Sequence, residues 1–159
     1  MRNLIFISYS SKDAEFVTKM VRDIEKNGVR CWMSARDIEP GADYQGAIVD
    51  AMERAAAVLL VFSSNANASK EIVKELALAS QKGRTVIPAR VEDILPKGAF
   101  EYQITNAQFI DLFRDYNDAI IRLSRSLQAQ IEIATDGKTT IAPLPYQPSK
   151  KPNRALLAG

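Results

Sequence analysis

Histidine is absent from all 159 residues. That removes every Ser-His-Asp or Cys-His catalytic arrangement and any zinc site that needs imidazole. Cysteine occurs once, at Cys31, so neither an intrachain disulfide nor a thiolate cluster can form. Its neighbours Val29, Trp32 and Met33 mark Cys31 as a small buried residue rather than a reactive thiol. Charge of one sign is also missing. The 21 basic residues face 19 acidic ones, a net of +2, and the bases are scattered among the acids. No electrostatic footprint for nucleic acid follows from that balance. Long hydrophobic runs are missing too. The opening MRNLIFISYSS is too short in its apolar part for a signal peptide or a membrane span, so the expectation is a cytoplasmic protein. Any chemistry must then use carboxylates, hydroxyls, amides, Lys or Arg.

What remains is patterned. Residues 3–8, NLIFIS, form a compact apolar run suited to a strand buried on both faces. The hydroxyl-rich SYSSKD follows, with Ser11 as the expected N-cap of a helix whose inner stripe is Phe16, Val17, Met20, Val21 and Ile24. Asn27-Gly28 ends it. VRCWM reads as a second strand, and a helix is expected from about Tyr44 to Arg54. The most apolar segment, AAVLLVFS at 56–63, is the expected central strand. Ser69 caps a helix that Gly83 stops near Lys82. RTVIPAR at 84–90 and AQFIDL at 107–112 are the fourth and fifth strands, around an irregular 91–105. A last helix runs from about Asp115 to Ile133, with Tyr116, Ile120, Leu123 and Leu127 inward. Alternating β and α of this kind implies a mostly parallel sheet covered on both faces, with ligands bound beyond the carboxyl ends of the strands.

Residues 134–159 differ. Four of the seven prolines lie here, with Lys, Ser and Gly. This is the composition of a disordered linker or tail. Its end, SKKPNRALLAG, is a basic cluster before an apolar stub. It leaves open a floppy tail or a continuation into a membrane segment or a further domain, with membrane tethering in the latter case.

Between Trp32 and Tyr44 lies the charged turn MSARDIEPGAD. The expectation is that Arg36 and Asp37 brace the loop, Pro40-Gly41 makes the turn, and Asp43 caps the next helix. Neither a P-loop nor a dinucleotide fingerprint is present. The helix over 69–82 carries Glu71 and Glu75, four apart. Its apolar set, Ile72, Val73, Leu76, Ala77 and Ser80, centres the buried stripe between Ile72 and Val73. Glu75 then lies roughly 130° from that centre, at the margin. It either reaches a cleft beside the sheet or pairs with Lys74 on a solvated face.

FISYSSKDAEF, CWMSARDIEPGADY and KELALASQKGRTVIP, in this order, resemble a Toll/interleukin-1 receptor (TIR) domain of microbial type over about residues 1–130. The expected organisation is a TIR domain at 1–133 and the tail at 134–159. The resemblance implies a flavodoxin-like three-layer sandwich whose five-stranded parallel sheet has the order 2-1-3-4-5. It implies cleavage of NAD+ at the nicotinamide–ribosyl bond, by hydrolysis or cyclisation, switched on by self-assembly in microbial defence. NAD+ is then the substrate, and no cofactor or metal is expected. Glu75, followed by Leu76, matches the family's catalytic glutamate. Phe6, Ser8, Tyr9 and Ser10 match the stretch lining the nucleotide cleft, and Trp32 matches the aromatic that ends the second strand and faces that cleft. Ser34, Arg36, Asp37, Ile38, Pro40 and Gly41 fall in the family's BB loop, whose tip around Ile38 to Ala42 is expected to meet another copy. Many active relatives carry Trp where this chain has Glu71. The alternative implied by the same resemblance is a non-catalytic adaptor or effector acting through TIR–TIR contacts. A nucleotide or flavin mononucleotide binder of the same fold class is a third reading.

Overall fold

The computed structural model describes residues 1–98, 100–101 and 109–136. Five strands form one sheet: β1 (Leu4–Ser8), β2 (Cys31–Trp32), β3 (Ala55–Phe62), β4 (Thr85–Arg90) and β5 (Ile110–Asp111). All neighbours are parallel, and the order is β2-β1-β3-β4-β5. The helices are α1 (Ala14–Glu25), α2 (Ser34–Asp37), α3 (Tyr44–Arg54), α4 (Lys70–Gln81) and α5 (Tyr116–Asp136). This is the flavodoxin-like sandwich expected from the sequence.

The side-chain period of a strand sorts residues onto two faces. Ile5 and Ile7 of β1, with Ala57, Leu59 and Val61 of β3, pack under α1 and α5. Leu4 and Phe6, with Val58, Leu60 and Phe62, pack under α3 and α4. All eight residues of β3 are buried, so a run without alternation marks the centre of the sheet. Burying a leucine such as Leu59 or Leu60 contributes about 2–3 kcal/mol.

Several elements depart from the sequence expectation. The second strand keeps only Cys31 and Trp32, because the chain after Met33 turns at once into α2, a single turn inside the charged loop. The first helix opens with a 3-10 turn over Ser11–Asp13, and Ser10, not Ser11, caps it by accepting from the Lys12 amide. Phe16 is exposed rather than inward and meets Tyr116 edge-on. In α4 the buried residues are Ile72, Glu75, Leu76 and Ala79. That stripe is rotated by about 80° from the one the apolar set gave, toward Glu75. Ser69 caps α4 through the Ile72 amide, as expected. Gly83 leaves the helix at φ +71°, a conformation costly for any residue with a Cβ. α5 continues to Asp136, past the expected Ile133. The rest of the tail, 137–159, and residues 107–108 of the expected fifth strand lie outside the described residues. Among the described residues no helix is long and apolar enough to cross a membrane.

Candidate active site

The chain leaves β1 toward β2 on one side and returns to β3 on the other. At that switch point the segments after β2, β1 and β3 splay apart above the carboxyl ends of the strands. A cleft of about 450 Å³ opens there. Tyr9 to Lys12 supply one wall, Ser34 and Ala35 a second, and Ser64, Asn65, Ala68 and Ser69 a third. Tyr44 of α3 and Glu71 and Glu75 of α4 complete it. The walls are tied together. Asp13 accepts from Asn65 at 2.8 Å and from the Ser63 hydroxyl, joining the segment after β1 to that after β3. The Tyr9 phenol accepts from the Ala35 amide at 3.0 Å and lies 3.3 Å from the Ser34 hydroxyl, joining it to α2.

Glu75 is 8% exposed although it is a carboxylate. The Ser8 hydroxyl, itself fully buried at the end of β1, donates to its Oε1 at 2.7 Å. No described residue hydrogen-bonds Oε2, and the side chain borders the cleft. Burial pushes the carboxyl from its ordinary 4.5 up to about 7. The Ser8 bond pulls it down, and the Glu71 charge one turn earlier adds a smaller upward push. The solvated pairing with Lys74 does not occur: Lys74 lies on the exposed side, 3.7 Å from Glu71. The Tyr44 phenol is raised, chiefly by burial; Ser34 lowers it, and Glu75 and Glu71 raise it further.

The residues singled out from the sequence separate into three places. Glu75, Tyr9, Ser10 and Ser34 border the cleft. Ser8 lies behind Glu75, with its proton engaged there. Phe6 and Trp32 do not border it. They stack on each other with centroids 5.1 Å apart, inside the core that includes Ile48 and Met52. Even residues of β1 point under α3, so Phe6 pairs with Trp32 rather than facing the cleft. In the charged loop the brace is present. The Arg36 guanidinium donates to Asp37, to Glu25 at 2.9 Å and to the Cys31 carbonyl at 3.0 Å. Asp37 in turn accepts from the Met33 amide. Asp43 occupies the N-cap of α3 but makes no capping hydrogen bond. Ile38 is half-buried against the Phe6–Trp32 core, which leaves Glu39, Pro40, Gly41 and Ala42 as the exposed tip. Gly41 holds φ +84° there.

Lys12 and Tyr44 were not singled out from the sequence. Their place in the cleft depends on how the 3-10 turn and α3 sit on the sheet, and no local pattern carries that. Among the described residues no group of acidic or cysteine side chains is placed to hold a metal ion. The arrangement offers one desolvated carboxylate with a free oxygen, hydroxyls, a lysine and two phenols. Such a set can stabilise a developing positive charge next to an anionic group.

A family profile described as TIR domain matches residues 5–124. No curated protein sequence matches the chain significantly. Among solved structures, the TIR domain of the Toll-related receptor TRR-2 from Hydra magnipapillata is 20% identical. That alignment covers 76% of this chain and 97% of that one, with a TM-score of 0.61. A metazoan TIR-STING receptor from C. gigas in complex with 2′,3′-cGAMP is 24% identical over 76% of this chain and 39% of the receptor, with a TM-score of 0.57. The RPS4 and RRS1 TIR domain heterodimer gives 13% identity over 80% and 96%, with a TM-score of 0.57. At these identities the likeness is one of fold.

Proposed function

The chain belongs to the TIR domain family, and from that premise we propose that it cleaves NAD+ at the nicotinamide–ribosyl bond, with Glu75 as the catalytic carboxylate. The observation that carries this reading is the burial of Glu75 at the cleft, with Oε1 held by Ser8 and Oε2 unpartnered among the described residues. A helix-surface glutamate with only a structural role has no reason to accept that desolvation. The bond itself explains why one carboxylate suffices. Nicotinamide leaves NAD+ as a neutral base, taking the electron pair of the C1′–N bond and so discharging its own pyridinium. The ribose is left oxocarbenium-like. An ionised Glu75 stabilises that charge and accepts hydrogen bonds from the ribose hydroxyls. Water, or a nucleophile within the same dinucleotide, then completes hydrolysis or cyclisation. In this reading Tyr9 and Tyr44 pack on the rings, and Ser10 and Lys12 meet the phosphates. The exposed tip Glu39–Ala42 contacts a second copy and switches the activity on. The setting is defence by NAD+ depletion.

The same exposed tip favours a second reading, an adaptor that acts by TIR–TIR contact alone, since one of the structures of similar fold is a TIR heterodimer. Nicotinamide release by the artificially clustered chain, wild type against Glu75→Gln, separates the two. Release by the wild type and its loss in the variant support cleavage. No release by the clustered wild type supports the adaptor, and equal release by both removes Glu75 from its role.

A further inference from the structure

The sequence resemblance places Ser8 among residues that line the nucleotide cleft, yet its hydroxyl is fully buried and turned away from the cleft into Glu75. We propose that Ser8 is a positioning residue for Glu75: its hydroxyl fixes Oε1 against the sheet and presents Oε2 to the substrate. This rests on Glu75 being the carboxylate that acts, but the hydrogen bond itself can be tested without any reaction.

The geometry makes Ser8 suited to the task. It is the last residue of β1, and β1 lies between two parallel neighbours, with Ser8 in register with Leu60 of β3. A group held on an inner strand moves less than one on a loop. Glu75 comes from the middle of α4, whose neighbours Ile72 and Leu76 are locked in the core. Among the described residues the two elements are joined by this side-chain bond and the surrounding apolar contacts, so the carboxyl rotamer depends on it. A hydroxyl has one proton to give. Spent on Oε1 at 2.7 Å, it is not available to a ligand phosphate. The bond also favours the ionised carboxylate, the form needed beside an oxocarbenium ion, and opposes the burial that neutralises it. Among the described residues, the other charged or titratable groups that border the cleft beside Glu75 are Glu71 of the same helix, held by Lys74, together with Tyr44 of α3, Tyr9 after β1 and Lys12 across the cleft. None of these is hydrogen-bonded to the Glu75 carboxyl, so among the described residues Ser8 is the hydrogen-bond partner that fixes its orientation.

The test uses the whole chain. In Ser8→Ala, the Glu75 side-chain carbon, followed by ¹³C NMR in unclustered protein, titrates about one pH unit higher than in the wild type. In the clustered assay the acid limb of nicotinamide release moves by the same amount. The loss is about tenfold well below the wild-type midpoint and vanishes well above both midpoints. Ser8→Thr keeps the donor and restores both. Ser8→Cys, a weak donor of similar size, shifts in the same direction by less and serves if the alanine variant does not fold. An unchanged Glu75 titration overturns the proposal, as does a rate loss equal at every pH. If Glu75→Gln releases nicotinamide as fast as the wild type, the NAD+ reading falls, and the NMR titration still decides whether Ser8 governs the carboxylate.

Discussion

Replacing Glu75 by Gln should make this protein more stable at pH 8. The carboxyl titrates at about 7 in the folded chain against 4.5 when solvated. Each tenfold in proton affinity is worth about 1.4 kcal/mol, so ionising Glu75 in the folded state costs about 3 kcal/mol relative to the unfolded chain. The sign follows from linkage. Below pH 4.5 both states hold the proton and no penalty applies. Between 4.5 and about 7 the folded state binds the proton that the unfolded state has lost, so stability falls as pH rises through that window. Above about 7 the full penalty remains. Gln has nearly the same shape and its carbonyl still accepts the Ser8 proton, so the variant removes the charge and little else. Wild type and Glu75→Gln should therefore show equal urea midpoints near pH 4 and diverge up to pH 8. There the variant leads by about 3 kcal/mol, a gain in Tm of about 6–12 °C for a chain of this size. Parallel stability curves across that window would refute the reasoning, for they would mean that water reaches both carboxylate oxygens in the folded state.

Glu71→Gln removes the smaller upward push on Glu75, so the Glu75 carboxyl should titrate lower in ¹³C NMR, opposite in sign to Ser8→Ala. Tyr9→Phe deprives the Ala35 amide of its acceptor and should cost about 1 kcal/mol in urea melts. Amide exchange should rise across Ser34–Asp37. Arg36→Ala cuts the fork to Glu25, Asp37 and the Cys31 carbonyl. Because the group is about one-third exposed, the loss should be about 1 kcal/mol, read as faster exchange at the base of the loop with α1 unaffected. Ile38→Asp places a carboxylate against the Phe6–Trp32 core and should lower monomer stability by about 1–2 kcal/mol. Gly41→Ala, in open space at φ +84°, should cost about 1 kcal/mol from backbone strain while the monomer stays folded.

The alternation of strands and helices was legible because the most apolar run marks β3 and because Gly28 and Gly83 stop α1 and α4, whereas the order of the strands came from the family resemblance. The rotation of α4 was not. Hydropathy counted Val73, Ala77 and Ser80 as inward, but Ala and Ser weigh almost nothing on that scale. The group that takes their place is a carboxylate whose partner lies 67 residues away. Local pattern sees neither the partner nor the desolvation. Trp32 misled for a similar reason. The family resemblance placed its ring at the cleft, whereas the pleat sends it to the face where Phe6 waits. The brace of Arg36 and Asp37 was legible, since the two are adjacent in sequence and close over one turn. The unused cap at Asp43 shows the limit of a residue-type argument without geometry.

The separation of Ser8 and Glu75 along the chain also bears on when the site comes into being. A ribosome delivers Ser8 first and Glu75 much later, and α4 docks only when β3 lies beside β1. Every shorter nascent fragment has a hydroxyl without its carboxylate, and a fragment reaching Gln81 without a closed sheet has both in water. The contact is non-local and needs α4 packed on the sheet rather than any single helix or hairpin. The Ser8–Glu75 pair is therefore tied to a closed sheet, and truncated or misfolded copies carry the sequence of the site without its electrostatics.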